Sequence, residues 1–180
     1  MASVLLRLVF AFLVLAGASL PAAAQWYQGP SGGTGGYEFD EWLDGKQGRI
    51  TSVGVLEEDG SIKCFRINVM PHSGKNLSYG TCPWWNAQAQ PDPRLRMFYL
   101  ASDEYILGVA GGYDDHINSI RFWTNKRAST RYGELQGKYS FGYTAPSGQM
   151  IVAFTGRSGD NLDAIGVMYA PCDPAKYACK

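Results

Sequence analysis

The chain has 180 residues, 46% of them apolar, and its sixteen basic side chains are balanced by sixteen acidic ones. A formal net charge of zero removes the broad electrostatic case for nucleic acid or an anionic membrane surface as partner. The length suits one domain of about 100–200 residues with a core of its own.

Residues 1–24 read as a secretory signal peptide. A lone Arg7 precedes an apolar run from Leu8 to Leu20, and Pro21 followed by Ala22, Ala23 and Ala24 offers a small-residue cleavage site before Gln25. The run is shorter than the roughly 20 residues that cross a bilayer, and no other stretch is apolar enough to span. The expectation is an exported, extracellular protein with a single domain over residues 25–180 and no transmembrane segment.

A glycine-rich stretch, Gly32-Gly33-Thr34-Gly35-Gly36, comes first in that domain. Short runs of alternating apolar residues bounded by turn residues then predict strands over Arg49–Leu56, Ile62–Met70, Arg94–Leu100, Tyr105–Ala110, Ile117–Thr124, Met150–Thr155 and Leu162–Tyr169. Between the second and third runs the long connection from Pro71 to Pro93 carries His72, Cys82 and Trp84-Trp85, and reads as a packed, pinned loop. Asn76-Leu77-Ser78 within it is a glycosylation acceptor pattern. Lys126, Arg127 and Arg131 follow the fifth run and read as a solvated basic turn. No segment of residues 25–180 reads as an amphipathic helix, and there is no βαβ unit, so the fold class is all-β: a sandwich, barrel or prism.

Four cysteines, Cys64, Cys82, Cys172 and Cys179, in an exported chain favour disulfides over metal ligation, since no C-x-x-C pair exists and only two histidines are present. Three connectivities are open. Cys64 with Cys82 and Cys172 with Cys179 are favoured, because each pair closes a local loop. No cofactor is expected.

The stretch GRSGDNLDAIGV, Gly156 to Val167, carries the chemistry. Gly159 permits close approach to bare backbone. The amides of Asp160 and Asn161 can then point outward beside the Asp163 carboxylate, which has up to four lone-pair sites. Sugar hydroxyls are both donors and acceptors, so a carboxylate flanked by amides satisfies a hydroxyl pair without a metal. The same residues also suit a capped tight turn, and this stretch alone leaves both readings open.

Four stretches in order widen the reading: GGTGGYEFDEW from Gly32, EYILGVAGGYDDHINSIRF from Glu104, TNKRASTRYGELQG from Thr124, and IVAFTGRSGDNLDAIGV from Ile151. Over nearly all of residues 25–180 the chain resembles the jacalin-related lectins. The resemblance implies a β-prism of three four-stranded antiparallel Greek-key sheets. It implies a sugar site where the glycine-rich loop meets the G-x-x-x-D loop, with backbone amides from Gly36, Asp160 and Asn161 and the carboxylate of Asp163. Tyr113 would stack on a sugar face while Asp114 or Asp115 accepts a hydroxyl. Gly111 to Asp115 also spells G-x-x-x-D and reads either as a second site or, more simply, as a surface turn. Tyr37 beside Gly36 is a further stacking candidate. In the family, galactose preference goes with a cut chain whose free amino terminus lies beside the pocket. Gln25 lies well upstream of Gly36, so the reading leans to mannose- or glucose-type glycans or glycoproteins, bound without calcium and with useful avidity from homo-oligomers.

Two other classes compete. A glycosidase would need a raised carboxyl facing a second one across the bond, and the pairs Asp40/Glu41, Asp114/Asp115 and Asp160/Asp163 are the candidates. His72 and His116 have no evident nucleophile partner. A non-catalytic interaction or assembly module with a vestigial sugar site is the other class, and the intact Asp163 with both glycine pairs speaks against it.

Overall fold

The computed structural model describes residues 26–40, 48–71, 77–82, 93–134 and 137–172. The leader at 1–24, His72, Asn76, Trp84-Trp85 and Cys179 lie outside these residues. In chain order the strands are β1 (Trp26–Gly32), β2 (Tyr37–Asp40), β3 (Gly48–Glu58), β4 (Ser61–Pro71), β5 (Leu77–Gly80), β6 (Arg96–Tyr99), β7 (Ile106–Tyr113), β8 (Ile117–Thr124), β9 (Tyr132–Gly133), β10 (Tyr139–Thr144), β11 (Gln149–Ser158) and β12 (Leu162–Pro171). They pair into three four-stranded sheets ordered β1-β12-β11-β2, β5-β4-β3-β6 and β10-β7-β8-β9. All the pairings are antiparallel. Three such sheets around one core make a β-prism, as the resemblance implies.

Alternation sets the inner faces. Along β8, Ile120 and Phe122 are buried while Arg121 is exposed and Trp123 half-buried, the period of two that a sheet with one covered face requires. Each sheet sends one phenylalanine to the axis: Phe65 from β4, Phe122 from β8 and Phe154 from β11, all fully buried. Phe154 meets Phe65 at 5.4 Å and 75° and Phe122 at 5.9 Å and 80°, edge to face. That geometry matches the ring quadrupoles and adds about 0.5–1.5 kcal/mol per pair beyond the area buried. The central strands β11 and β12 are buried along most of their length. Met150, Val152 and Ala170 there form a smaller cluster of their own with Tyr105 and Met168.

Five strands went unpredicted, for identifiable reasons. β1 contains a register shift between Gln28 and Ser31, so it carries no regular alternation. β2 is a short, largely exposed edge strand and β9 has two residues. β5 lies inside the connection read as a loop, where it pairs with β4 through Asn68 opposite Ser78. β10, YSFGYT, does alternate, with Phe141 and Tyr143 inward, and was legible.

The Cys64–Cys82 disulfide forms as expected, with Cα atoms 5.0 Å apart. It ties β4 to the residues just after β5. Cys172 is also disulfide-bonded. Among the described residues no helix is long and apolar enough to cross a membrane.

Candidate functional site

Strand register brings the two glycine loops together. β1 runs along β12 until Gly32 faces Ala164, and β2 starts along β11 where Tyr37 faces Ser158. The connection at 33–36 must therefore bridge across the turn at 159–161, at one end of the same sheet. The Gly33 amide donates to the Asp163 carbonyl at 2.8 Å. Arg157 on β11 stitches the bridge in place: its Nε donates to the Gly35 carbonyl at 2.7 Å, Nη2 to the Gly36 carbonyl at 2.8 Å and Nη1 to Glu38 Oε1 at 3.0 Å. The planar, five-donor guanidinium can hold two carbonyls and a carboxylate at once.

Asp163, the second residue of β12, stands under this bridge. A Cβ on Gly35 would lie 2.6 Å from its Oδ1, and one on Gly36 would lie 2.4 Å from its Oδ2. Gly36 also has φ of +59°, which disfavours any other residue. The tandem glycines are thus the only side chains the carboxylate leaves room for. Asp163 Oδ2 is buried and has no hydrogen-bond donor among the described residues. Burial pushes this carboxyl above the ordinary aspartate range, Asp160 adds to the push, and His116, the Gly159 amide and Arg157 pull it back in part. The Gly159 amide also donates to the Asn161 carbonyl at 2.9 Å.

Three donors complete the set. The backbone amides of Gly36, Asp160 and Asn161 have no acceptor among the described residues. The turn that presents two of them is braced by Ser158, whose hydroxyl donates to the Asn161 carbonyl at 3.1 Å. From a different sheet, Lys63 Nζ on β4 donates to Asn161 Oδ1 at 3.0 Å. His116 shares a 2.9 Å hydrogen bond with the Ser61 hydroxyl, and the Asp115 carbonyl lies 1.9 Å from where a Cβ on Gly33 would stand. One loop from each sheet therefore borders the site.

The predicted residues divide. Gly36, Asp160, Asn161 and Asp163 come together as expected. Both oxygens of Asp114 are already taken, by the Lys138 amide at 2.6 Å and Asn118 Nδ2 at 2.7 Å, which hold its carboxyl below the ordinary range. That aspartate locks its own loop. Tyr113 is half-buried against Tyr139 and Phe141, with centroids 5.4 and 6.4 Å away. Tyr37, next to Gly36, is 85% exposed and is the better-placed aromatic face. Gly111 lies inside β7 opposite Phe141 and Ile120, so Gly111–Asp115 is spent on a strand and its turn. Arg157 and Lys63 were not anticipated. Only the placement of Arg157 between two glycines ahead of the loop could have flagged it.

A carboxylate with one unsatisfied oxygen, set under a glycine bridge beside amides that have no acceptor among the described residues, is chemistry for hydroxyls. Among the described residues no cluster of histidine, cysteine, aspartate or glutamate could hold a metal ion. Fold and site together define a β-prism carbohydrate-binding domain. Residues 28–168 match the family model described as the jacalin-like lectin domain. The chain belongs to the jacalin-like lectin family, a family of sugar-binding proteins and not of enzymes. It is 33% identical over 138 residues to jacalin-related lectin 5 of Arabidopsis thaliana, covering 74% of this chain and 17% of that one. It is 31% identical over 148 residues to the agglutinin of Castanea crenata, covering 77% and 45%. The chain thus spans less than half the length of these relatives. Among solved structures it superposes on wild-type Malaysian banana lectin with a TM-score of 0.66 at 25% identity, covering 83% of this chain and 99% of that one. A mannose binding lectin from Champedak gives 0.65 at 27% identity, again covering 83% and 99%.

Proposed function

We propose that this chain is an exported lectin that binds mannose- or glucose-type glycans without calcium, through Asp163 and the amides of Gly36, Asp160 and Asn161. The observation that carries the reading is the buried Asp163 Oδ2 with no donor among the described residues, beside three amides with no acceptor among them. An unpaired buried acceptor costs about 1–3 kcal/mol, and a sugar hydroxyl entering past Gly35 and Gly36 removes that cost. Its own oxygen then accepts from an amide. Tyr37 supplies the apolar face, and Arg157 and Lys63 act as positioning residues.

The sugar preference rests on two supports. β1 starts at Trp26 opposite Tyr169, six residues of strand, or about 20 Å, from Gly32. A free amino terminus near residue 25 would stand at the far end of the sheet, away from the socket. The Champedak lectin, of like fold, is a mannose binding one. A single shallow socket gives affinities near millimolar, about −4 kcal/mol, so homo-oligomers or clustered glycans would supply working avidity.

Calorimetric titration of the protein with methyl α-mannoside and methyl α-galactoside in EDTA tests the reading, beside a folded Asp163→Ala variant. Mannoside binding that the variant loses supports it. A folded protein that binds neither sugar moves the function to the interaction-module class.

A further inference from the structure

The basic cluster that read as a solvated turn resolves into two different environments. Lys126 Nζ pairs with Asp103, and Arg127 Nε pairs with Glu104 at 2.9 Å while its guanidinium lies 4.5 Å over Phe98. Arg131 makes no hydrogen bond or ion pair with any described residue. It lines instead a groove of about 610 Å³ on the outer face of the β10-β7-β8-β9 sheet, well within the range of ligand sites.

The groove has a consistent chemistry. Register puts Ala110 opposite Arg121 and Gly112 opposite Ser119, so the β7 side is low and the β8 side is raised. Arg121 commits only Nε, to the Ser129 carbonyl at 3.2 Å, which leaves its terminal nitrogens toward the groove. No carboxylate lines the groove. The groove also carries the indole of Trp123, whereas the Tyr139 ring turns to the other face of the sheet, against its cross-strand partner Tyr113. The indole lies on Gly108, where a Cβ would stand 2.0 Å from Cζ2, so one ring face is held flat on the sheet.

We propose that this groove is a second binding site, separate from the Asp163 socket, for an anionic sugar: a pyranose bearing a carboxylate or a sulfate. The Trp123 indole stacks on the C–H surface of the ring, and Arg121 and Arg131 bind the anion, the guanidinium fork matching a carboxylate or sulfate oxygen pair. With an overall charge of zero, the cations of this groove are a local excess.

The test is a titration of the full protein with trigalacturonate, and separately with a heparin-derived disaccharide, in saturating methyl α-mannoside at low salt. The two probes tell carboxylate from sulfate recognition. Binding of either probe is expected, weakened at least tenfold by Arg131→Glu and less by Arg131→Ala, absent for the methyl ester of trigalacturonate, and retained in Asp163→Ala. Arg131 has no hydrogen-bond or ion-pair partner among the described residues, so these variants should keep the unfolding curve of the parent. The proposal is overturned if neither anionic probe binds, if Arg131→Glu binds as the parent does, or if the neutral ester binds equally well. Failure of the mannose reading would show separately, in the mannoside titration.

Discussion

Two carboxylates, the buried Glu104 ahead of β7 and the half-buried Asp163 on β12, show what separates a structural acid from a binding one. Glu104 is 2% exposed and saturated: the Thr124 hydroxyl and Arg127 Nε donate to Oε1 at 2.7 and 2.9 Å, and the Ala101 amide and Arg127 Nη2 donate to Oε2 at 3.0 and 3.3 Å. Burial alone would raise its carboxyl, yet the Ala101, Thr124 and Arg127 hydrogen bonds outweigh it and hold the group below the ordinary range. Asp163 has the opposite balance, with burial in command and one oxygen unpaired. A carboxylate that the fold satisfies holds the fold together. One that the fold leaves short is available to a ligand.

The largest effect that sharpens this contrast is expected from Glu104→Ala. Removing the acid strands three donors and should cost about 2–4 kcal/mol in urea unfolding, while the fraction still folded binds mannoside normally. Asp163→Asn should invert that result. Stability should stay within about 1 kcal/mol of the parent, because a charge the fold does not satisfy has gone, while sugar affinity drops about 10–100-fold by calorimetry. Gly36→Ala should show both effects at intermediate size, costing about 1–2 kcal/mol from its left-handed backbone and closing the socket over Oδ2.

Acid should separate the two carboxylates in pH as well. Glu104 is lowered in the folded state, so its contribution to stability is complete above its unfolded value and is lost as pH falls through the lower folded one. Asp163 is raised, so the folded state takes up that proton more readily and the fold gains from it, while the sugar loses its acceptor. On acidification, mannoside binding should therefore fail while the protein is still folded, which paired titrations and unfolding curves at each pH would show. The smallest expected effect is that of Lys63→Met: a twofold to threefold loss of sugar affinity, about 0.5 kcal/mol, from a looser Asn161 turn.

The same contrast bears on what could be read in advance. Period-two alternation located the long strands, and the inward Phe122 and outward Arg121 follow it. It could not locate β1, where a Gly-Pro bulge breaks the pattern, nor the edge strand β2, whose pairing with β11 is what carries Gly36 to Asp163. Gly36, Asp160, Asn161 and Asp163 were named from the resemblance to a family, since G-x-x-x-D by itself is as much a turn as a site. The Gly111–Asp115 repeat of the same spacing, folded into a strand, makes that point within one chain. Arg157 and Lys63 reach partners more than ninety residues away in sequence, so only the assembled sheets reveal them. Tyr113 and Tyr37 traded places because exposure depends on neighbours: Tyr139 and Phe141 cover the first, and nothing covers the second.

The central claim is that an unpaired Asp163 oxygen and three unpaired amides form one sugar socket. Amide chemical-shift mapping during titration with methyl α-mannoside tests it most directly. The largest, saturable shifts are expected at Gly36, Asp160 and Asn161, with Glu104 and its partners unmoved. Saturable shifts confined to another face, with those three amides silent, would contradict it.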